Sequence, residues 1–386
     1  MTSDAPIRSG EYMANGSQLN VLQFICPTGF YGAERWILAL ARNLPLEQVR
    51  CDLAVTREDN TQNLELVNHY RAQGLGSAFE ISMQHRFDPA VIGRLVALIK
   101  ERDVQIIHTH GYKSDILGLI AARRAGIHCV TTPHGFENAA DLKLRFFIWL
   151  GCKAMTKADR VVPLSPQLVD DSRAAGVADK RITYIQNGVD LSEVEAQRQK
   201  PKKTKEKKRI GFIGQMISRK NLPDLLSVFN ELWRETEGVE LFILGDGEER
   251  QELETRAGLL ASSGDIHFLG FRHDRLELLQ SFDLFAMTST LEGIPRCLME
   301  ACAMGIPVAA YDIPGIDQLI INGKTGLLAP LGERDTLKQH WQSLLTDPQL
   351  AETLANSARE HVQSNYSAAR MAAEYCDLFH ELGSAT

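Results

Sequence analysis

Two glutamates, Glu292 and Glu300, are the residues of this chain whose setting points most clearly to chemistry. Every residue from 297 to 304 is apolar except Glu300. A helix that is apolar on all sides is buried, so Glu300 is expected to be a carboxylate inside the fold. Because a buried charge without a partner is costly, Glu300 must meet a cation, a hydrogen-bond donor or a ligand hydroxyl.

The same segment predicts an anion site at the start of that helix. Pro295 suits the first helical position and Gly305 suits the residue just past the end. The free peptide N–H groups around Gly293 and Ile294 can then bind a phosphate. Two carboxylates beside such a site suit a nucleotide sugar, one for ribose hydroxyls and one for sugar hydroxyls. The alternative is that Glu300 forms a structural pair with an arginine.

Three histidines in the first half follow predicted strands. His108 and His110 point to the same side of an extended chain. A metal site would need a third ligand at a suitable spacing, and none is evident, so no metal is expected. We expect one of the pair to face the core and His110 to border a cleft. His134, held in a turn by Pro133 and Gly135, is either functional or a structural histidine with satisfied hydrogen bonds.

The elements that must position these residues alternate between short apolar runs and amphipathic helical patterns. This alternation is typical of βα units around parallel sheets, which bind ligands at the carboxyl ends of their strands. The predicted strands are 19–26, 51–56, 104–108, 128–132, 160–164 and 182–185 in the first half, and 210–213, 239–244, 266–269, 284–287 and 308–311 in the second.

Length and composition favour two domains. The chain has 386 residues, more than one hydrophobic core usually serves. Its net charge of −7 argues against nucleic acid as a partner. We predict a flexible tail over 1–18, a Rossmann-like domain over 19–196, a basic linker over 197–209 and a second Rossmann-like domain over 210–365.

Cysteine usage and hydropathy predict a cytoplasmic protein. The 7 cysteines are scattered without metal-ligand spacing, which fits a reducing compartment. Residues 1–18 lack the apolar core of a signal peptide, and no apolar run approaches the length of a membrane span.

Two segments allow a peripheral contact with the inner face of the membrane. The lysine-rich linker is interpreted as a solvated connector, with a contact to an anionic membrane surface as the alternative. Residues 141–157 carry Phe146, Trp149 and Leu150 among basic residues. We favour a packed helix with a basic outer edge over a helix lying on lipid.

The glutamate segment resembles the signature of retaining GT-B glycosyltransferases of family 4, in which E-x7-E precedes A-x-x-x-G-x-P-V. Further similarities follow in the family's order. Residues 214–221 resemble its diphosphate-binding G-R-x-x-x-x-K-G segment, with Gln215 in place of the arginine. Lys220 keeps its position, and Arg219 beside it can supply a second cation. Residues 244–248, with Gly245 and Gly247, resemble the family's loop near the nucleoside, and residues 268–273, with Arg272, resemble its base-contacting turn. Residues 317–328 resemble the family's E-x-x-x-x-G-x-x-G segment.

The first half carries weaker similarities to the same family. Gly32 and Glu34 match its G-G-x-E-R loop, in which Tyr31 replaces the first glycine. Residues 132–135 resemble T-x-H-G, and the resemblance implies that His134 binds the donor sugar. Residues 187–190 resemble the N-G-V-D segment before the hinge.

The resemblance implies a GT-B fold, in which two Rossmann-like domains face each other across a cleft and a C-terminal helix, about 366–386, returns to the first domain. It implies retaining transfer of a hexose or N-acetylhexosamine from a nucleotide sugar, UDP-linked rather than GDP-linked, without another cofactor. The acceptor would be a saccharide or lipid-linked saccharide in cell-surface polysaccharide or glycolipid synthesis. His134, Glu292 and Lys220 would be catalytic, and the N-terminal domain, with Gly32, Glu34 and His110, would bind the acceptor.

Two other functions fit the same architecture. One is a sugar-nucleotide epimerase or a phosphorylase, and the other is a non-catalytic protein that binds sugar nucleotides.

Overall fold

The computed structural model describes residues 18–384 apart from residues 28, 31, 59–63, 85–87, 136–141 and 202–205. Most of the predicted tail, Tyr31 and the middle of the basic linker therefore lie outside the described residues.

Six parallel strands form the sheet of the first half: β1 (Leu19–Ile25), β2 (Val49–Glu58), β3 (Ala78–Met83), β4 (Ile106–His110), β5 (His128–Thr131) and β6 (Arg160–Val161). They lie side by side in the order β3-β2-β1-β4-β5-β6. The accompanying helices are α1 (Gly32–Asn43), α2 (Glu65–Ala72), α3 (Ala90–Glu101), α4 (Tyr112–Ala125), α5 (Leu142–Met155) and α6 (Pro166–Ala174). Helix α7 (Leu191–Arg198) follows them in sequence, but its buried Val194 belongs to the core of the second half.

The second half repeats this plan with strands β7 (Lys208–Ile213), β8 (Val239–Leu244), β9 (Ile266–Gly270), β10 (Leu284–Met287), β11 (Val308–Asp312) and β12 (Leu327–Pro330). Their order is β12-β11-β10-β7-β8-β9. The helices are α8 (Leu222–Glu235), α9 (Arg250–Gly258), α10 (Arg275–Gln280), α11 (Arg296–Met304), α12 (Arg334–Thr346), α13 (Pro348–Asn365) and α14 (Ala368–Gly383).

Both sheets reverse their strand order next to the first strand, between β1 and β4 and between β7 and β10. The central strands are buried on both faces, which explains their near-continuous apolar runs. Loops that leave the carboxyl ends of neighbouring strands diverge at such a reversal and open a crevice for ligands. The predicted α/β architecture of two doubly wound sheets is confirmed.

The sequence patterns missed two of the four outermost strands. Neither β3 nor β12 was predicted, and 182–185 is not a strand, since only Ile182 bridges to Val161. The strand expected over 160–164 ends at Val161. All of these lie at sheet edges, where pairing with a single neighbour, rather than a long apolar run, defines the strand.

The basic linker is shorter than predicted. Gln197 and Arg198 close helix α7, and Lys208 and Arg209 open strand β7. Arg209 is accommodated in a strand because its Nε lies 2.8 Å from Glu240 Oε1 and its guanidinium stacks on a neighbouring ring. Charge alone therefore did not mark the ends of the connector.

Helix α14 follows the second sheet in sequence but packs on the first. The Tyr375 hydroxyl lies 2.8 Å from Thr132 Oγ1, and Arg370 donates a 2.5 Å hydrogen bond to the Gln186 carbonyl. Ser367 forms a bridge with Val189 just before the helix begins. The predicted return of the C-terminal helix to the first domain is confirmed.

From residue 145 onward, helix α5 buries one side and exposes the other. Gly151 and Met155 are buried, and Gly151 lies close to Tyr112. On the outer side Phe146 is 61% exposed and Trp149 is 52% exposed, and their rings stack at 5.8 Å. The helix is packed as favoured and its outer edge carries the exposed basic residues Arg145 and Lys153, with aromatic side chains beside them.

Candidate functional site

Glu300 lies in the middle of helix α11 and is only 2% exposed. Its Oε1 accepts a 2.8 Å hydrogen bond from Arg275 and another of 2.8 Å from Arg296. Burial alone would raise the pKa of this carboxyl, but the two guanidinium groups overcome that effect and hold the pKa at about 2. Glu300 therefore forms the structural pair with arginine that the sequence analysis gave as the alternative, and it does so with two arginines.

The start of helix α11 differs by one residue from the prediction. Pro295 is the residue before the helix, with an extended backbone, and Arg296 is the first helical residue. Ile294 and Pro295 are buried, and Gly293 is half-buried. Gly305 ends the helix in the left-handed conformation that was expected, with φ 75°.

Lys220 and Glu292 form an ion pair at the carboxyl ends of two adjacent strands. Lys220 is 7% exposed and Glu292 is 5% exposed, so the pair is screened from solvent. The two loops are joined on both sides of it. Thr288 Oγ1 donates to the Asn221 carbonyl at 3.0 Å, and the Thr290 amide donates to the Arg219 carbonyl at 2.8 Å.

Glycines allow the strand-end loops of the second sheet to touch backbone to backbone. A Cβ on Gly245 would lie 1.9 Å from the Gly214 carbonyl oxygen, and one on Gly247 would lie 2.3 Å from that of Met216. The loop after β7 is thereby fixed against the loop after β8. These glycines have a packing role whatever ligand they contact.

Three predicted ligand-binding side chains lie at the rim of the site. Gln215 and Arg219 are exposed on the loop after β7. Arg272 is also exposed and forms a fork with Asp274, at 2.7 and 2.6 Å. The structure thus brings Lys220, Glu292 and the start of α11 together and leaves these three at the surface.

In the first half, three histidines cluster around Trp36. The rings of His110 and His134 both lie 5.4 Å from the Trp36 ring, and that of His108 lies 5.9 Å away. Burial lowers the pKa of His108 to about 3 and that of His134 to about 4, and it lowers the pKa of His110 well below its usual range. All three are neutral at pH 7.

The expectation that His110 borders the cleft is wrong. His110 is 3% exposed and packs against Trp36 of α1, while His108 packs against Tyr375 of α14. Sequence spacing could not reveal these contacts. His134 is the partly exposed member of the cluster. Among the residues that the structure describes, no group of three or more His, Cys, Asp or Glu could hold a metal ion.

The two residues predicted from the first glycine loop differ in exposure at the start of α1. Gly32 is exposed, whereas Glu34 is 4% exposed and faces inward. Arg35, which follows them, was not predicted as a site residue. Its guanidinium lies 4.6 Å from the Phe30 ring, and burial together with the nearby Arg275 and Arg296 lowers its pKa to about 10.

The two halves meet beside the start of helix α11. Asn187 Nδ2 lies 3.4 Å from the Ile294 carbonyl oxygen. Arg42 of the first half pairs with Asp190 and, at 3.2 Å, with Glu193 of helix α7. A cavity of about 400 Å³ lies between the halves, and Arg35, Arg42, Arg275 and Arg296 are among its lining residues. The predicted elements therefore face one interdomain cleft.

The sequence contained a signal for one of the missed arginines. Arg296 precedes Glu300 by one helical turn, a spacing that places oppositely charged side chains together. Arg275 lies in another element, so only the folded chain shows that it reaches the same oxygen.

Comparison with known proteins gives a consistent result along the chain. Residues 30–193 match the family model described as Glycosyltransferase Family 4, and residues 193–361 match the model described as Glycosyl transferases group 1. The two models together include strands of both sheets.

Similar proteins carry transferase and synthase names. The N-acetyl-alpha-D-glucosaminyl L-malate synthase of Bacillus anthracis is 24% identical over 308 residues, which are 77% of this chain and 80% of the relative. The UDP-Gal:alpha-D-GlcNAc-diphosphoundecaprenol alpha-1,3-galactosyltransferase of Escherichia coli is 28% identical over 307 residues, 75% of this chain and 78% of the relative.

Solved structures share the fold. Anabaena Alr3699/HepE, in complex with UDP and glucose, superposes with a TM-score of 0.78 at 19% identity, over 95% of this chain and 100% of that one. No helix within the described part of the chain is long and apolar enough to cross a membrane.

Proposed function

Because this chain is a glycosyltransferase of the GT-B fold, we propose that it transfers a hexose or N-acetylhexosamine from a UDP-sugar to a saccharide or lipid-linked saccharide with retention of anomeric configuration. The observation that carries the proposal is the buried pair of Lys220 and Glu292 beside the start of helix α11. An acceptor in cell-surface polysaccharide or glycolipid synthesis is in keeping with the diphosphoundecaprenol-linked sugar in the name of the Escherichia coli relative.

The departing nucleoside diphosphate needs cations and N–H donors. Lys220 and the peptide N–H groups around Gly293 would supply both within a partly closed cleft, where electrostatic stabilisation is strongest. Gln215 and Arg219, which are exposed at the rim, would contact the diphosphate from the solvent side. When the diphosphate binds Lys220, Glu292 would become available to orient the donor sugar.

Glu300 would bind the ribose. Both arginines contact its Oε1, which leaves Oε2 to accept hydrogen bonds from ribose hydroxyls. Gly245, Gly247 and Arg272 would surround the nucleoside at the ends of β8 and β9. The acceptor would enter from the N-terminal domain, where Gly32, Glu34 and the histidine cluster lie.

Retention would follow a front-face route. The acceptor oxygen would bond to the anomeric carbon on the face from which the nucleoside diphosphate departs, while the bond between that carbon and the phosphate oxygen breaks. The departing phosphate would take the proton of the acceptor hydroxyl, so no covalent intermediate forms. His134 would contact the donor sugar from the first domain, opposite Glu292. Epimerase, phosphorylase and non-catalytic alternatives are not favoured, since both matching family models describe glycosyltransferases.

The stabilisation of the protein by added nucleotide distinguishes UDP from GDP as the donor's nucleotide. A ligand that binds only the folded state raises the melting temperature, so UDP should raise it at concentrations at which GDP does not.

Transfer from UDP-sugars to a lipid-linked saccharide should then give a product whose new linkage is α, as read from its NMR anomeric coupling. Lys220→Ala should abolish transfer, while Lys324→Ala, at an exposed position, should not. An inverted product would contradict retention, and equal stabilisation by GDP would contradict the choice of UDP.

A peripheral contact with the membrane forms part of the proposal. Phe146, Trp149 and Leu150 are exposed on helix α5, with Arg145 and Lys153 beside them. Aromatic and basic side chains together suit the boundary between lipid headgroups and acyl chains. A lipid-linked acceptor would lie at that boundary.

Flotation with vesicles tests the contact. The protein should float with anionic vesicles and not with neutral ones, and a Phe146→Ser/Trp149→Ser variant should not float with either. Leu259→Ser is the matched control, because Leu259 is 84% exposed on another surface. Unchanged flotation of the double variant would rule out this face.

A further inference from the structure

A chain of hydrogen bonds runs from the core of the first sheet to His134. Gln23, in strand β1, is 0% exposed, and its Oε1 lies 2.8 Å from His110 Nε2. His110 Nδ1 in turn lies 3.1 Å from His134 Nε2. The chain ends at His134, the partly exposed histidine of the cluster. A buried glutamine beneath a histidine pair has no packing advantage over leucine, so its hydrogen bonds call for an explanation.

The direction of each hydrogen bond follows from the donor and acceptor chemistry. Gln23 Nε2 lies 3.6 Å from Cys51 Sγ, and burial raises the pKa of that thiol to about 11, so it remains protonated. The amide nitrogen of Gln23 faces the sulfur, which can accept, and the carbonyl oxygen of Gln23 faces His110. That oxygen can only accept, so His110 carries its proton on Nε2.

The same argument fixes the proton of His134. A neutral imidazole has one donor and one acceptor nitrogen, so His110 with its proton on Nε2 must accept at Nδ1. His134 is then the donor and carries its proton on Nε2. Its Nδ1 keeps the lone pair and is the nitrogen left for a ligand.

We propose that Gln23 and His110 are positioning residues that hold His134 in its Nε2–H tautomer, so that Nδ1 accepts a hydrogen bond from a hydroxyl of the donor sugar. This rests on the proposed function, in which His134 contacts the sugar. A hydroxyl can donate to Nδ1, whereas a carboxylate cannot, so the contact selects a neutral sugar at that position. The opposite tautomer would present an N–H and lose this selectivity.

The tautomer of His134 is directly measurable in the unmodified protein. With 15N-histidine labelling, the pattern of long-range 15N–1H correlations distinguishes the Nε2–H from the Nδ1–H form. A His134→Asn spectrum identifies the signals of His134. The Nε2–H form is expected, and an Nδ1–H form would overturn the proposal without requiring any turnover.

Two substitutions of Gln23 then test the chain of hydrogen bonds from Gln23 through His110 to His134, called the relay below. Gln23→Met removes the acceptor while keeping the size of the side chain, so His134 should populate both tautomers. The kcat/KM for the UDP-sugar should fall about tenfold, the effect of one hydrogen bond, while the affinity for UDP alone stays unchanged. Gln23→Glu is the contrasting variant, because a buried carboxyl takes up a proton and can donate it to His110 Nε2. His134 should then shift to the Nδ1–H tautomer and lose activity as in Gln23→Met, and retention of the Nε2–H form would contradict the proposal.

Each outcome has a distinct meaning. A Gln23→Met variant with unchanged kcat/KM and tautomer would remove Gln23 from the relay. A parallel loss of UDP affinity and melting temperature would indicate a purely structural role and also overturn the proposal. If the wild-type protein turned over no nucleotide sugar, the proposed function would fail, while its histidine spectrum would still decide whether the relay exists.

Discussion

Glu300 shows how the fold keeps a charge inside a nearly apolar helix. Its carboxylate is tolerated because Arg275 and Arg296 reach the same oxygen, each at 2.8 Å. An isolated buried carboxylate would take up a proton, whereas this one has a pKa of about 2. The same arginines line the cavity between the two halves, so the pairing also orders that wall of the cleft.

Replacing Glu300 by Gln should therefore affect both stability and activity. The variant leaves two partly buried guanidinium groups without their carboxylate, and we expect the free energy of unfolding to fall by about 1–3 kcal/mol. Transfer should fall sharply because the ribose loses its acceptor. Urea unfolding and single-turnover kinetics measure the two effects, with Glu352→Gln at an exposed position as the control. Full activity in Glu300→Gln would contradict the site assignment.

The pKa of Glu300 also sets a pH dependence. The folded pKa of about 2 lies below the ordinary value of 4.5. The pairing therefore adds stability in full above pH 4.5, and this contribution is lost as the pH falls towards 2. The difference in unfolding free energy between wild type and Glu300→Gln should be constant from neutral pH down to that value and then shrink. A difference that grew on acidification would mean that Glu300 is not paired in this way.

At the scale of elements, the site depends on loops that approach one another more closely than side chains allow. Gly315 follows strand β11 with φ 92°, and a Cβ there would lie 1.7 Å from the Gly293 carbonyl oxygen. Gly293 belongs to the loop that presents the N–H groups of helix α11. The loop after β11 thus packs against the backbone of the loop that forms the predicted phosphate site.

Gly315→Ala should displace that loop. We expect a fall in the free energy of unfolding larger than the roughly 1–2 kcal/mol of left-handed strain alone, and a matching loss of UDP affinity. Gly323→Ala is the matched control, because Gly323 has φ 74° but nothing within 4 Å of the added Cβ. Thermal unfolding and calorimetric UDP titration compare the two variants. Equal effects in both would indicate that the backbone contact is unimportant.

At the scale of the whole molecule, the C-terminal helix ties the end of the chain to its beginning. Tyr375, Met371 and Phe379 of α14 are 0% exposed in the core of the first sheet. Tyr375 also bonds Thr132, which lies 2.8 Å from His108 in the histidine cluster. The first domain therefore completes its core only after the second has been synthesised.

Removal of residues 367–386 should destabilise the first domain. The truncation uncovers the apolar side chains that α14 covers. We therefore expect the protein to lose the unfolding transition of the first domain and to aggregate. The second sheet should keep its own transition in calorimetry, since its core forms a separate cluster. Removing only residues 384–386, which follow the helix, is the control. If the unfolding transition of the first domain were unchanged after the longer truncation, α14 would be dispensable for the stability of that domain.

Much of this arrangement followed from local sequence. Alternation of apolar runs predicted parallel βα units, and the lone acid among apolar residues predicted a buried Glu300. Similarity to a known family added the roles of Lys220, Glu292 and His134, which remain predictions. These signals lie within single elements, where periodicity and spacing are sufficient.

Only the tertiary structure decided which groups meet. Arg275 reaches Glu300 from another helix, and Trp36 packs against His110, which was expected at the cleft. The edge strands β3 and β12 exist because they pair with one neighbour each. In every case the missing information was a contact between residues distant in sequence. A local pattern states that a side chain needs a partner, and the fold alone determines which partner it has.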